Sequence, residues 1–486
     1  MELTPGASAN APAIAGAGPP NSPAARTRPA RRAPTDLSFR LDEALLERFE
    51  SREPDWLTAD RREAFAAFGS LPTESSRLYT PYVDLRAAEL EGVSPYDEPA
   101  TAAPDGASVA SIPEGAGGLA SFREDQVEAL ELDADARAAG VTIDTLGGLL
   151  RREPEVARRL LGGGSLPADD RLAQLTRAGW NQGVVVRVPA GARLARPIVI
   201  RWAAGAPGRA LLTRTIVELG DGAAASLLEE LIPSGPEIEC AAGETVPQAL
   251  LTGTLEVRLG RGADLSVASI QDFGPRQIVF QHRNASIGES ASLRWALAQL
   301  GSRLARSRVD NRLQGDRSTV EQVEIVFGGD EQLFDLTSYT RHTGRDTTGN
   351  LLSKGVLLDR SRTYMKGLIE IERSAVGTDS FLGEFGMNLS RNARAVAIPS
   401  LEIDQPDCRR AAHSSSVGPI DETQLFYLES RGIPPDEARK FIVLGFLEPV
   451  VARVPLLGAQ DRLRDLLEAK WAAGWPVAAA GSGAAA

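Results

Sequence analysis

One of the three histidines of the chain, His413, stands in the run Ala412-His413-Ser414-Ser415-Ser416-Val417-Gly418, and is read as lying just before a helix. Imidazole ligates iron and titrates near neutral pH, so a histidine here is a candidate metal donor. Cys408 precedes it by a short spacer, with Glu402, Asp404 and Asp407 close in sequence. Thiolate, imidazole and carboxylate are all acceptable ferrous ligands. Nothing in a Cys-x-x-x-x-His spacing fixes their geometry, and a buried structural thiol is the plainer reading of Cys408. The second cysteine, Cys240, follows Glu237 and Glu239 in a polar loop and has no partner in sequence. Two cysteines make neither a disulfide framework nor a CxxC metal motif. That usage suits a reducing cytoplasm and does not suit a cluster held permanently by this chain alone.

The motifs of other chemistries are missing. There is no Gly-Lys dipeptide and hence no phosphate loop of the Walker type. No GxSxG elbow, HExxH helix or GxGxxG turn after a strand stands out. The chain is therefore expected not to be an enzyme, and any ATP energy must come from a partner. Its 53 basic residues face 65 acidic ones, a net charge of -12. That balance argues against a dedicated nucleic-acid or anionic-membrane binder. No apolar run has transmembrane length, and no signal-peptide core is present. Arg26, Arg28, Arg31 and Arg32 give the start a faint targeting character, but the prolines among them break the amphipathic helix a transit peptide needs.

The elements that must position these residues follow from periodicity. Residues 1–35 are rich in Ala, Pro and Gly and are read as a disordered tail. A helical segment with loops is expected over 36–178, beginning with Leu41, Leu45 and Phe49 at helical spacing. At Trp180 the period changes to two, and a β core is expected over 179–408. Strands such as Gly183–Val188 and Pro197–Trp202 are followed by recurring turns: Gly220-Asp221-Gly222, Gly260-Arg261-Gly262, Gly288-Glu289-Ser290 and Gly315-Asp316-Arg317. Short strands repeated with turn glycines suggest a solenoid, each coil burying its apolar face on the next. A β-sandwich gives similar spacing. In a solenoid the ends need covers, and the flanking helical segments are the expected ones. A C-terminal helical segment is expected over 409–475. Asp421 caps its first helix, Gly432 ends it, Pro434 and Pro435 open the next, and Leu463, Leu466, Leu467 and Trp471 mark a third. Residues 476–486 are small and read as frayed.

The order His413-x-x-x-Val417-Gly418, then Gln424-Leu425-Phe426-Tyr427-Leu428, then Ser430-Arg431-Gly432-Ile433 resembles the C-terminal signature of the SufB/SufD family, scaffolds of iron–sulfur cluster assembly. Ser414 and Leu428 stand where SufB typically has Glu and Cys, so the resemblance is to the SufD branch. It extends to the entry segment from Pro54-Asp55-Trp56-Leu57, and to His342, Lys354-Gly355-Val356-Leu357, Asp359, Ser361-Arg362 and Thr378-Asp379. Asp359 and Arg362 read as a solvated turn pair, and His342 as structural. The stretch Glu384-Phe385-Gly386-Met387-Asn388 departs from the Asn-Arg-Asn-Leu-like run usual for the family.

The resemblance implies a right-handed parallel β-helix core between N-terminal and C-terminal helical domains. It implies a scaffold subunit of a SufBCD-type complex with a SufB-like paralogue and a SufC-like ABC ATPase, or a homodimer when alone. Neither nucleic acid nor membrane is an expected partner. His413 is implied at the cluster-assembly interface with SufB, with Cys408 as a further metal candidate. Leu425, Phe426, Tyr427, Phe441 and Leu444 are implied to dock the ATPase. No cofactor is expected to be stably bound, iron or an Fe–S cluster being transient and shared with SufB. Two alternatives stay open: a SufB-like cluster-bearing scaffold, and a β-helix carbohydrate-active enzyme, which paired carboxylates in a groove would support.

Overall fold

From Gln182 onward the chain alternates between two sheets. Gln182–Val188, Arg209–Leu219, Ala249–Leu259, Gln277–Ile287, Leu304–Leu313, Leu333–His342, Arg362–Ile371 and Arg394–Ile403 stack in parallel in the first. Ile198–Ala204, Ala224–Pro233, Asp264–Gln271, Ser292–Gln299, Thr319–Gly328, Thr348–Leu357, Asp379–Asn388 and Arg410–Gly418 stack likewise in the second. The computed structural model describes residues 37–73, 84–96, 110–162, 166–236 and 246–474. The two predicted tails and Cys240 lie outside these. The result is a parallel β-solenoid, as the turn repeats suggested; a sandwich would have paired its neighbouring strands antiparallel.

The repeated turns hold the coils in step. Gly222, Gly262, Ser290, Arg317, Asp346 and Gly377 all have positive φ and occupy the same corner of successive coils. Each donates its N–H to the carbonyl of the next coil: Arg261, Glu289, Asp316, Arg345, Val376 and Asp407 in turn, at 2.7–2.8 Å. The left-handed conformation costs a non-glycine residue about 1–2 kcal/mol. The inter-coil hydrogen bond and the packing of every later strand offset it. Register is continuous, so columns of side chains run along the axis. One interior column is Leu227, Val267, Trp295, Gln322, Leu351, Leu382 and His413.

Between the sheets lies an apolar core that includes Val186, Ile200, Trp202, Leu227, Trp295 and Phe334. Helices cover part of each outer face. Helices Glu43–Glu50, Asp55–Ser70 and Arg171–Gly179 lie on the first sheet, over Leu212, Leu250, Phe280 and Leu304. Helices Pro435–Val451 and Leu457–Gly474 lie on the second, where Val443, Leu447 and Leu463 meet Ala298, Ile325, Phe327 and Val356. This corrects the expectation that helices cover the ends. The N-terminal end is closed by strands: Thr142–Thr145 pairs antiparallel with Gln182–Val188, and Gly118–Arg123 joins Ile198–Ala204 and turns into Gln126–Leu132. At the other end, Arg394–Ile403 and Arg410–Gly418 have no further neighbour among the described residues.

Two boundaries move. Residues 118–132, read as loop and then helix, form a hairpin with Glu124 at φ 53° in the turn. The coil also continues past Cys408: Arg410–Gly418 is its last strand, and the C-terminal helical part begins at Glu422. Asp421 caps that helix as expected, accepting the Thr423 N–H at 2.8 Å.

A buried charge cluster ties the N-terminal helices to the first sheet. Asp170 caps the Arg171–Gly179 helix, accepting from the Ala173 N–H at 2.8 Å, and also binds Arg306 and Arg308, each at 2.8 Å. Burial alone would raise the Asp170 pKa; the two guanidiniums outweigh it and hold the carboxyl well below its usual range. Arg308 also holds Asp310 at 2.8 Å, and Asp310 meets His282 at 2.5 Å. Arg306, Arg308 and Asp310 alternate along one strand, but Asp170 and His282 are distant in sequence, so the cluster as a whole gives no local signal.

Candidate functional site

His413 lies on the terminal strand of the solenoid, not before a helix. This is the main correction to the sequence reading. Its register partner is Leu382, which is fully buried in an interior cluster with Leu351, Ile369 and Ile371. His413 therefore belongs to the interior-facing column, yet it is exposed, because no coil follows to cover it. On the first-sheet side the residues that follow Ile369 and Ile371, the partners of Leu382, are Leu401 and Ile403; Ala411 and Ser415 flank His413 on its own strand. The solenoid thus ends in a mouth whose interior column terminates in an imidazole.

Cys408 is half-buried in the corner before that strand and packs on the cluster of Ile369, Ile371 and Leu382. It is placed as a structural thiol would be. Glu402 falls in the outward-facing column of Arg312, Arg341 and Glu370, on the opposite face from His413. Asp404 and Asp407 are exposed beyond the strand end. The acids near Cys408 in sequence are therefore not gathered around His413, and no group of three or more metal-ligating side chains occurs among the described residues.

The sequence reading missed a second interior column, which is polar: Glu229, Ser269, Leu297, Glu324, Ser353, Glu384 and Ser415. Glu229 is ion-paired to Arg283 at 3.0 Å and accepts from Ser269 at 2.6 Å. Glu324 receives a hydrogen bond from Gln299 at 3.2 Å, and burial raises its pKa. Glu384 is nearest the mouth, and burial pushes it up to about 8, although the Ile398 N–H bonded to it acts in the opposite sense.

The other histidines are accounted for. His342 is buried, its Nδ1 meeting Thr347 Oγ1 at 2.8 Å and its Nε2 meeting Ser380 Oγ at 3.1 Å. Burial lowers its pKa to about 4, so it is neutral. Asp359 sits in a turn at φ 51° and accepts the Asp330 N–H, while Arg362 is exposed.

Exposed large apolar side chains lie on the last coil and on the C-terminal helices. Among the described residues they are Ile403, Val417, Phe426, Tyr427, Phe441 and Leu457, at 40–76 % exposure. Leu425 is half-buried, and Leu444 leans on the cluster beneath the Pro435–Val451 helix. Of the five residues expected to dock an ATPase, Phe426, Tyr427 and Phe441 thus form the free surface. Ile403 and Val417 have a different origin. Their register partners Ile371 and Gly386 are buried and interior-facing, so both are core positions left uncovered by the last coil.

Comparison with known proteins places this arrangement. The SufBD core domain of SUF-system FeS cluster assembly matches residues 202–446, which takes in the solenoid from the end of its first coil, the mouth, the Glu422–Ser430 helix and part of the next. The chain belongs to the SufBD family. A SufBD-family iron–sulfur cluster assembly protein of Mycobacterium tuberculosis is 28 % identical over 351 residues, covering 69 % of this chain and 83 % of that protein. The iron–sulfur cluster assembly protein SufD of Bacillus subtilis is 26 % identical over 352 residues, covering 72 % and 78 %. A SufBD-family protein of Staphylococcus epidermidis is 23 % identical over 339 residues. The SufBD core match includes His413 and ends inside the Pro435–Val451 helix, so Phe426, Tyr427 and Phe441 lie within it and Leu457 beyond. No described helix is long and apolar enough to cross a membrane.

Proposed function

We propose that this chain is the SufD-like scaffold subunit of a cytoplasmic SufBCD-type complex, without enzymatic chemistry of its own. The observation that carries the reading is the uncovered terminal coil. Two free strand edges, two uncovered core positions and an exposed interior-column histidine lie together there. A second solenoid adding its own strands would bury Ile403 and Val417 and enclose His413. A SufB-like paralogue is the partner of that description, and iron or a nascent cluster is the cargo held between the two chains rather than a resident cofactor. The SufC-like ATPase docks on Phe426, Tyr427 and Phe441. The SufB-like alternative is disfavoured by Ser414 and Leu428. The carbohydrate-enzyme alternative needs paired carboxylates of opposite protonation. The groove of about 530 Å³ on the first sheet is lined by Asp169, Asp310, Glu370 and Glu402, of which Asp310 and Glu370 are ion-paired to Arg308 and Arg341.

The test is His413→Ala in the complete complex. An exposed side chain on an edge strand carries little folding energy, so assembly and melting temperature should match the wild type. Cluster maturation in cells should fall at least about ten-fold, the range seen when a metal site loses a supporting group. Cys408→Ala should be mild. Normal maturation by the His413→Ala complex would remove the histidine from the mechanism.

A further inference from the structure

The coil next to the terminal one holds another group that the scaffold role does not by itself require. Glu384 lies on Asp379–Asn388, the strand just inside the edge, with its side chain on the interior face and 1 % exposed. No cation pairs with it among the described residues. A buried carboxyl without one is expensive whenever it ionises, and an apolar side chain would fill the same space more cheaply.

Its direction is informative. Oε2 accepts the backbone N–H of Ile398 at 2.8 Å, and Ile398 belongs to Arg394–Ile403, one strand of the terminal coil. The carboxyl therefore leans forward out of its own coil into the last one, whose other strand carries His413. Glu384 is registered opposite Ser415, and His413 opposite Leu382. The two side chains are thus diagonal neighbours on one face of the sheet, with β-carbons roughly 7–8 Å apart. An ion held between an imidazole and a carboxylate bridges such a span. Gly367, where a β-carbon would crowd Leu382 and come within 2.9 Å of Glu384 Oε1, lets both side chains sit close against the first sheet, and only Ser415 follows Glu384 in its column. Cys408 is packed into the corner cluster and takes no part.

We infer that Glu384 and His413 together form a binding site for a divalent transition-metal ion at the mouth of the solenoid, its remaining positions open to solvent and to the docked partner. One nitrogen and one carboxylate donor suit ferrous iron better than a thiolate-bound cluster. This inference deepens the scaffold reading and rests on it for the identity of the cargo.

Co²⁺ serves as a redox-stable probe, added anaerobically to the full-length chain and followed by visible absorption and calorimetry. The wild type should bind it, Glu384→Gln and His413→Ala should each bind at least about ten-fold more weakly, and Cys408→Ala should bind as the wild type does. Glu384→Gln keeps an oxygen for the Ile398 N–H and removes the buried acid, so its melting temperature should equal or exceed that of the wild type. Undiminished Co²⁺ binding by Glu384→Gln, or none by the wild type, overturns the site. The scaffold reading is judged separately, by capture of the ATPase and by cluster maturation. A Glu384→Gln chain that binds Co²⁺ normally beside a His413→Ala complex that fails in maturation would remove Glu384 alone.

Discussion

Two histidines of this chain have opposite fates, and the difference is whether another coil follows. His342 ends an inner strand, where the next coil covers it and two hydroxyls satisfy its nitrogens. Burial holds its pKa at about 4. In the unfolded chain it takes a proton near its ordinary value of about 6.5, while the folded chain stays neutral until about 4. Between these values the unfolded state binds more protons, so the contribution of His342 to stability is full above about 6.5 and is lost as pH falls toward 4. The loss amounts to roughly 3 kcal/mol. Thermal melts of His342→Gln should therefore show a flatter decline than the wild type across that window. Equal slopes would mean that the imidazole is hydrated in the folded protein. His413 has no coil above it and stays accessible, which is what a ligand requires. The sequence distinguishes the two only through the family signature, since neither flanking composition reports on the coil above.

At the level of elements, legibility followed apolar patterning and turn chemistry. Asp421, Gly432 and the Pro434-Pro435 pair delimit the C-terminal helices through local rules that hold whatever the tertiary setting. The solenoid turns were readable because a left-handed corner repeats with Gly or a small polar residue beside it. The Arg410–Gly418 strand was not readable: in Arg410-Ala411-Ala412-His413-Ser414-Ser415-Ser416 neither face is covered well enough to demand apolar residues, so no period of two survives. Gln126–Leu132 is a milder case: a bulge opposite Ser121 and Phe122 leaves Glu128 unpaired and shifts the phase of the alternation. The helices beyond the mouth carry their own prediction. Removing everything after residue 420 would strip Val443, Leu447 and Leu463 from Ile325, Phe327 and Val356, and the uncovered sheet would aggregate. Point changes on the outward surface avoid this. Phe426→Asp with Phe441→Asp should leave the melting temperature within a few degrees of the wild type and weaken ATPase capture by about 30-fold or more, the loss of one buried aromatic anchor. Wild-type capture by that pair would move the ATPase to another surface.

The whole molecule is asymmetric along its axis. At the N-terminal end antiparallel strands finish both sheets, whereas at the C-terminal end the first and second sheets stop at Arg394–Ile403 and Arg410–Gly418 with core positions showing. Natural sheets usually protect such edges with charge, bulges or proline. Here Arg394 and Arg410 guard only the strand starts and Pro399 removes one donor from one edge. Ile403 and Val417 stay apolar. An edge left in this state is best understood as one that another sheet completes. Placing charge where the added coil must pack should therefore abolish that completion without touching the fold. In an Ile403→Lys, Val417→Lys chain both ammonium groups can reach solvent, so circular dichroism and melting temperature should be preserved, as should capture of the proposed ATPase partner through Phe426, Tyr427 and Phe441. Association with the SufB-like paralogue, read by light scattering of the purified mixture, should be lost, and any self-association of the isolated chain should disappear with it. A double-lysine chain that still assembled with its paralogue at wild-type affinity would show that the partner meets some surface other than the open end, and His413 would then lie outside the interface.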